Sequence, residues 1–156
     1  MAGPLKSSSS KNNHELLANK RIGIVTAAWN DDITGALKLS CIQSLSKSGV
    51  KRENIIIKSV SGTFELSLGA QWLAEQKDID AVICLGCVIQ GETPHFDYIC
   101  QAVAYGITEV NLKYNKPVIF GVLTTLNKQQ ALDRAGGKYG NKGEEAALTA
   151  VEMLLF

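Results

Sequence analysis

Histidine, net charge and long apolar runs are all scarce in this chain of 156 residues, and each shortage excludes a class of function. Sixteen basic residues stand against fifteen acidic ones, which gives a formal net charge of +1 without the basic stripe that binds nucleic acid. No apolar run reaches the roughly 18 residues of a membrane span, and the N-terminus lacks the apolar core of a secretory signal. We therefore expect a cytoplasmic protein with no nucleic-acid partner and no membrane partner.

Metal-ligating residues are equally sparse. The only histidines are His14, in a polar N-terminal segment, and His95. A zinc site needs several ligands that converge, and a single histidine without clustered partners does not supply them. The sequence also lacks a G-x-G-x-x-G motif after its first strand and the Gly-Lys-Ser/Thr of a P-loop. We therefore predict neither a metal nor an organic cofactor, and nucleotide binding is disfavoured.

The four cysteines, which include Cys84 and Cys87, are expected to be reduced, because an even count alone is weak support for disulfides in a chain without a signal peptide. Cys84 and Cys87 have C-x-x-C spacing, but both fall inside a predicted strand. An offset of three along a strand sends two side chains to opposite faces of the sheet. Redox pairs of this spacing lie instead at exposed helix starts, so the motif indicates buried structural thiols.

Strand and helix patterns alternate along most of the chain. Residues 1–20 are rich in serine and asparagine and predict a flexible tail, whereas residues 21–156 predict a single domain. The predicted strands are 22–28, 54–60, 81–89 and 117–123, and the predicted helices are 32–47, 64–76, 94–113, 128–134 and 144–155. This alternation is typical of parallel βαβ units. The expected α/β fold is a three-layer α/β/α sandwich, with a flavodoxin-like four-stranded parallel sheet and ligands at the strands' carboxyl ends.

Side chains suited to ligand contact follow each predicted strand. Taken one at a time, these residues have simpler structural explanations. Trp29 could cap the core, Glu65 could complement a helix dipole, and the threonines at 124 and 125 could cap the next helix. In a parallel sheet, however, the four junctions meet at one edge. Their convergence predicts a binding site there.

The third junction combines an anion-binding geometry with a proton-exchanging side chain. Gly91 ends a continuously apolar strand, and Thr93 followed by Pro94 predicts a helix start with His95 in its first turn. Unpaired backbone N–H groups at a helix start attract anions, and histidine exchanges protons near neutral pH. A lone histidine is more often structural than catalytic. The position of His95 beside this helix start is what favours a catalytic role.

A second dense cluster runs from Arg134 to Gly143, where three cations lie among four glycines. Such a segment can be a helix-to-helix turn with solvated charges. It can also clamp a phosphate, because a guanidinium matches phosphate oxygens and glycines permit close approach.

The order and spacing of these segments resemble the lumazine synthase family over about residues 21–153. The matching motifs are Ala28-Trp29-Asn30, Gly62-Thr63-Phe64-Glu65, residues 86–98, residues 120–124 and residues 130–143. The resemblance implies condensation of 5-amino-6-(D-ribitylamino)uracil with 3,4-dihydroxy-2-butanone 4-phosphate to 6,7-dimethyl-8-ribityllumazine, without a metal or cofactor. It also implies a homo-oligomer, with riboflavin synthase as a candidate partner.

The resemblance assigns a role to each matching residue. His95 would donate or shuttle protons, and Glu92, Thr93 and Arg134 would hold the phosphate. Ribitylaminouracil would be bound by Trp29, Asn30, Thr63, Phe64, Glu65, Cys87, Val88, Ile89, Phe120 and Lys142. Of these residues, Phe120, Arg134 and Lys142 would reach the site from a neighbouring subunit.

Some residues depart from the family pattern. Ser61 and Ser67 stand where prolines are usual, which loosens the predicted ribityl loop, and Gln90 replaces a frequent arginine near the phosphate. Trp29 replaces a common phenylalanine and offers a larger stacking face.

Family members form pentamers, paired pentamers or shells of sixty subunits. The turn after Arg134 is short and lacks the insertion seen in members that stop at pentamers, so the resemblance implies a shell. Two rivals remain open: a non-catalytic flavin-binding or shell-forming protein of the same fold, and a flavodoxin-like flavin carrier.

Overall fold

A four-stranded parallel sheet forms the centre of the molecule, in the order β2-β1-β3-β4. The computed structural model describes residues 11–156. The strands are β1 (Ile22–Ala27), β2 (Ile55–Val60), β3 (Ala81–Ile89) and β4 (Val118–Thr125). Among the described residues the helices are α1 (Lys11–Leu17), α2 (Asp31–Lys47), α3 (Leu66–Ala74), α4 (His95–Tyr114), α5 (Lys128–Leu132) and α6 (Lys142–Leu154), with 3-10 turns at Arg52–Asn54 and Thr63–Glu65.

Helices cover both faces of this sheet, which confirms the predicted three-layer α/β/α sandwich. One apolar cluster joins the sheet to α1, α2, α5 and α6, and a second joins it to α3 and α4. The central strands β1 and β3 are therefore buried on both faces, as their continuous apolar sequences require. No helix within residues 11–156 is both long enough and apolar enough to cross a membrane.

Cys84 and Cys87 lie on opposite faces of β3, as their spacing predicts. Cys84 packs in the cluster with α3 and α4, whereas Cys87 packs in the cluster with α2 and α6. Both are free thiols, as is Cys41. Burial raises the pKa of Cys84 above its usual value and raises the pKa of Cys41 to about 12. These thiols are therefore protonated and shielded at neutral pH.

Thiol alkylation provides a test of this packing. Cys41 and Cys84 should stay unmodified when the folded protein is treated with iodoacetamide near neutral pH, because reaction needs an exposed thiolate. Both should react once guanidinium chloride unfolds the chain, as peptide mass spectrometry would show. Rapid labelling of either thiol in the folded protein would contradict the buried positions.

The structure differs from the prediction in the segment assigned to the tail. Residues 11–17 form the helix α1, and Leu17 is only 1% exposed within the core. Beyond this helix, the amide Nδ2 of Asn54 donates to the carbonyl of Ala18 (3.0 Å). Gly49, in a left-handed conformation with φ of 110°, provides room for the backbone of His14. So short a helix is stable only through these tertiary contacts. The predicted flexibility of residues 1–10 lies outside the described residues.

A short antiparallel hairpin occupies the glycine-rich segment between α5 and α6. Its strands are β5 (Ala135–Gly137) and β6 (Gly140–Asn141). Gly136 and Gly140 have φ values of 114° and 77°, which favour glycine. At the start of α6, a side chain at Gly143 would collide with the carbonyl of Leu37, so α6 packs closely on α2 there. This contact fixes the position of Lys142, where the hairpin ends and α6 begins.

Candidate active site

Trp29 is a bulky aromatic side chain displayed at the carboxyl end of β1. Its indole packs against Gly62, where an added Cβ would lie 3.0 Å from indole atom Cε3. The backbone N–H of Trp29 donates to the carbonyl of Ser61 (3.1 Å), which joins the junctions after β1 and β2. The side chain is nevertheless 68% exposed. Because Gly62 has no side chain, the indole can pack against the backbone there on one side. The rest of the indole stays open for stacking.

Asn30 and Thr63 anchor the end of β3 from the two neighbouring junctions. Asn30 adopts the left-handed conformation (φ 59°) at the N-cap of α2, which asparagine tolerates better than most residues. Its Nδ2 donates to the carbonyl of Cys87 (3.1 Å), and the buried hydroxyl of Thr63 donates to the same oxygen (3.5 Å). The three junctions are therefore tied together at one edge of the sheet, as the sequence predicts.

Phe64 and Glu65 project from the 3-10 turn after β2. The Oε2 of Glu65 accepts a hydrogen bond from the backbone N–H of Gly62 (3.0 Å), which fixes the carboxylate beside the indole of Trp29. Both side chains are exposed. The turn therefore presents an apolar ring and a hydrogen-bond acceptor next to an open indole, a combination suited to a ligand with a flat ring and a hydroxylated chain.

The segment from Glu92 to His95 is exposed where β3 leads into α4. The helix begins at His95, one residue later than predicted, and its backbone N–H donates weakly to the Thr93 hydroxyl (3.5 Å). The imidazole itself is open to solvent. First-turn N–H groups at such a helix start can bind an anion beside the imidazole.

Phe120, Arg134 and Lys142 line a separate groove along the outer edge of β4. Its volume is about 630 Å³, and residues of α4 and α6 form its walls. Lys142 forms a short ion pair with Glu145, whose Oε2 is 2.8 Å from Nζ. The groove therefore brings together an aromatic ring, two cations and a carboxylate.

Phe120 is offset from the indole of Trp29 in the same chain. Phe120 is level with Cys84 in the middle of β3, whereas Trp29 lies two residues beyond the end of β1. This offset is about 13 Å along the strands, with about 10 Å more across them. The predicted site residues therefore fall into two groups, one around Trp29 and one along the β4 groove.

Comparison with known proteins identifies the family. The family model of 6,7-dimethyl-8-ribityllumazine synthase matches residues 19–156. The relative of that name from Cytophaga hutchinsonii is 67% identical over 138 residues, which cover 88% of this chain and 87% of the relative. The relative from Parabacteroides distasonis is 59% identical, with 86% and 84% covered, and that from Bacteroides fragilis is 52% identical, with 87% and 95% covered.

The chain belongs to the 6,7-dimethyl-8-ribityllumazine synthase family. This confirms the resemblance seen in the sequence and makes the chain an enzyme of riboflavin biosynthesis, a transferase. The family match covers every residue of the two groups described above.

This lumazine synthase family member has an ion pair beside the site that no sequence pattern predicts. Lys128, which starts α5, lies 2.7 Å from Oδ2 of Asp32 in the first turn of α2. The hydrogen bond from Lys128 lowers the pKa of Asp32. Burial, helped by the charge of Asp32, raises the pKa of Cys87 to about 11. Cys87 is therefore a protonated thiol at neutral pH, unsuited to act as a nucleophile.

The site contains few metal ligands. Within residues 11–156, no three histidine, cysteine or carboxylate side chains are grouped so that they could hold a metal ion.

Proposed function

We propose that the chain condenses 5-amino-6-(D-ribitylamino)uracil with 3,4-dihydroxy-2-butanone 4-phosphate, and releases 6,7-dimethyl-8-ribityllumazine, phosphate and water. The observation that carries this proposal is the open indole of Trp29 beside the carboxylate of Glu65. An indole offers a broad apolar face to the pyrimidine, and a carboxylate accepts hydrogen bonds from ribityl hydroxyls. The names of the relatives support the same product.

Proton transfer is the chemical task of His95 in this proposal. The amine of the pyrimidine attacks the ketone, an imine forms with loss of water, phosphate leaves, and ring closure with loss of a second water completes the product. Each step moves a proton, and an exposed imidazole at the helix start can relay it. The first-turn backbone of α4, with Glu92 and Thr93, would hold the departing phosphate.

Completion of the site by a second subunit is the structural part of the proposal. Phe120, Arg134 and Lys142 line the groove along β4, and Phe120 is offset from Trp29 by about 13 Å along the strands and about 10 Å across them. A neighbouring subunit that docks this groove against the open indole would supply the aromatic ring and the cations. Activity would then require a homo-oligomer. Pentamers, their assembly into a shell, a cytoplasmic location and contact with riboflavin synthase all remain predictions of the sequence.

A direct assay tests this function. Purified protein supplied with both substrates should produce lumazine absorbance and release phosphate in equal amounts. A protein that binds flavin without turnover would support a non-catalytic relative. A yellow, redox-active preparation would support a flavin carrier. Either result, without lumazine formation, would overturn the proposal.

Riboflavin offers a probe of the proposed stacking position. It should quench tryptophan fluorescence saturably, because its fused ring can stack on the open indole of Trp29. Trp72, on α3, provides a matched control, since its side chain is 59% exposed against 68% for Trp29. Saturable quenching should persist in Trp72→Phe and be lost in Trp29→Phe. If quenching were instead lost in Trp72→Phe and retained in Trp29→Phe, riboflavin would stack near Trp72 and not at the β1 junction.

A further inference from the structure

Tyr139 lies beneath two cations at the tip of the β5–β6 hairpin. The guanidinium carbon of Arg134 is 4.9 Å from the centre of the tyrosine ring, and Nζ of Lys138 is 5.1 Å from the same point. Both distances fall within the range of a cation–π interaction. The ring is only half-buried, with 51% of the residue exposed. It therefore contacts the cations at the surface and is not part of the core.

The backbone of the hairpin explains why the ring is held there. The N–H of Tyr139 donates to the carbonyl of Asp133 (2.7 Å), which folds the hairpin tip back over the end of α5. Gly137 permits this fold, because a Cβ at that position would lie 2.8 Å from the carbonyl oxygen of Leu132. The N–H of Lys142 donates to the carbonyl of Arg134 (2.9 Å) and closes the hairpin.

The guanidinium of Arg134 is consequently restrained from two directions. Its Nη1 donates to the carbonyl of Gln130 (2.9 Å), while the tyrosine ring lies against it. A long side chain that is already ordered loses less conformational entropy when it binds an anion. Its remaining N–H groups can then form a paired contact with phosphate oxygens.

We propose that Tyr139 is a positioning residue that preorganises Arg134 for the phosphate of the second substrate. This inference rests on the proposed function for the identity of the phosphate ligand. The ring acts through Arg134 and does not itself contact the substrate. The expected contribution is that of one exposed cation–π contact, about two- to fivefold in phosphate affinity.

Kinetics of two variants separate a positioning role from a structural one. Tyr139→Leu should raise the KM for 3,4-dihydroxy-2-butanone 4-phosphate about two- to fivefold. Its kcat and the KM for the pyrimidine should stay at the wild-type values. Tyr139→Phe retains the ring and should behave as the wild type. An unchanged KM in Tyr139→Leu, or the same defect in Tyr139→Phe, would overturn the inference.

A double variant tests whether the effect runs through Arg134. In an Arg134→Ala background, the further change Tyr139→Leu should leave the KM for the phosphate substrate unaltered, because the guanidinium is already absent. An additional loss of the same size would mean that the ring acts on the substrate directly, which contradicts a positioning role.

Binding of inorganic phosphate distinguishes failure of this inference from failure of the proposed function. Phosphate titration of each oligomer, followed by phosphorus NMR, should show about two- to fivefold weaker affinity in Tyr139→Leu and wild-type affinity in Tyr139→Phe. If the wild type forms no lumazine, the proposed function fails. The phosphate titration then still tests whether Tyr139 positions Arg134. If the wild type turns over but phosphate affinity is the same in all three proteins, only the role of Tyr139 is wrong.

Discussion

His95→Ala should lower the turnover number for lumazine formation by roughly 10²- to 10⁴-fold, the usual range for a group that transfers protons in a transition state. The imidazole lies exposed at the start of α4, beside the N–H groups proposed to hold the phosphate. Its removal leaves the helix start intact, because the Thr93 hydroxyl accepts from the backbone N–H of residue 95 and not from the imidazole. The dissociation constants of both substrates should therefore change much less than the turnover number.

His14→Ala is the matched control for this variant. His14 is the chain's other histidine and lies exposed on α1. Turnover by both variants is followed by lumazine absorbance, after subtraction of the rate without enzyme. His14→Ala should retain the wild-type rate. Near wild-type turnover by His95→Ala would show that another group, or water, moves the protons.

Arg134→Ala should reduce kcat/KM for the phosphate substrate by roughly ten- to a hundredfold. Loss of a charged hydrogen-bond partner costs about 1.5 to 3 kcal/mol, which corresponds to that change in rate. The effect should be concentrated in the KM of the phosphate substrate, because the guanidinium is proposed to bind the phosphate. The KM for the pyrimidine should change little.

Arg52→Ala controls for the loss of a guanidinium from the surface. Arg52 lies in the 3-10 turn before β2, at the opposite end of the strands from the site, where its Nη1 donates to the carbonyl of Ile55 (3.4 Å). Its replacement should leave both KM values unchanged. If Arg134→Ala raises the KM of the two substrates equally, Arg134 does not bind the phosphate specifically.

The sheet and its two covering layers could be predicted from the sequence because their signals are local. The apolar run from Ala81 to Cys87 fits only a segment buried on both faces, and β3 occupies the sheet interior. The edge at which Asn30 and Thr63 meet follows from the direction of parallel strands. Both residues do meet there, because both donate to the carbonyl of Cys87 near the end of β3.

Features that depend on contacts between distant segments could not be predicted from the sequence. Helix α1 is short and largely polar, and burial of Leu17 stabilises it only once the core exists. The pair between Asp32 and Lys128 joins the first turns of α2 and α5, whose proximity emerges only from the folded sheet. The position of Tyr139 likewise depends on how the hairpin folds back over α5. None of these contacts produces a periodic pattern or a local motif.

Co-assembly of two impaired variants tests the shared site most directly. Trp29→Ala removes the stacking surface at the β1 junction, and Arg134→Ala removes a cation beside the β4 groove. When equal amounts of both variants are unfolded together and reassembled, half of the subunits retain each residue. In a closed ring, about one interface in four then pairs an intact Trp29 with a neighbour's intact Arg134. Activity should rise toward about a quarter of the wild-type value, above the mean of the separately reassembled variants. If co-assembled mixtures verified by mass spectrometry show only that mean, both residues serve the same subunit's site, and the shared-site account is wrong.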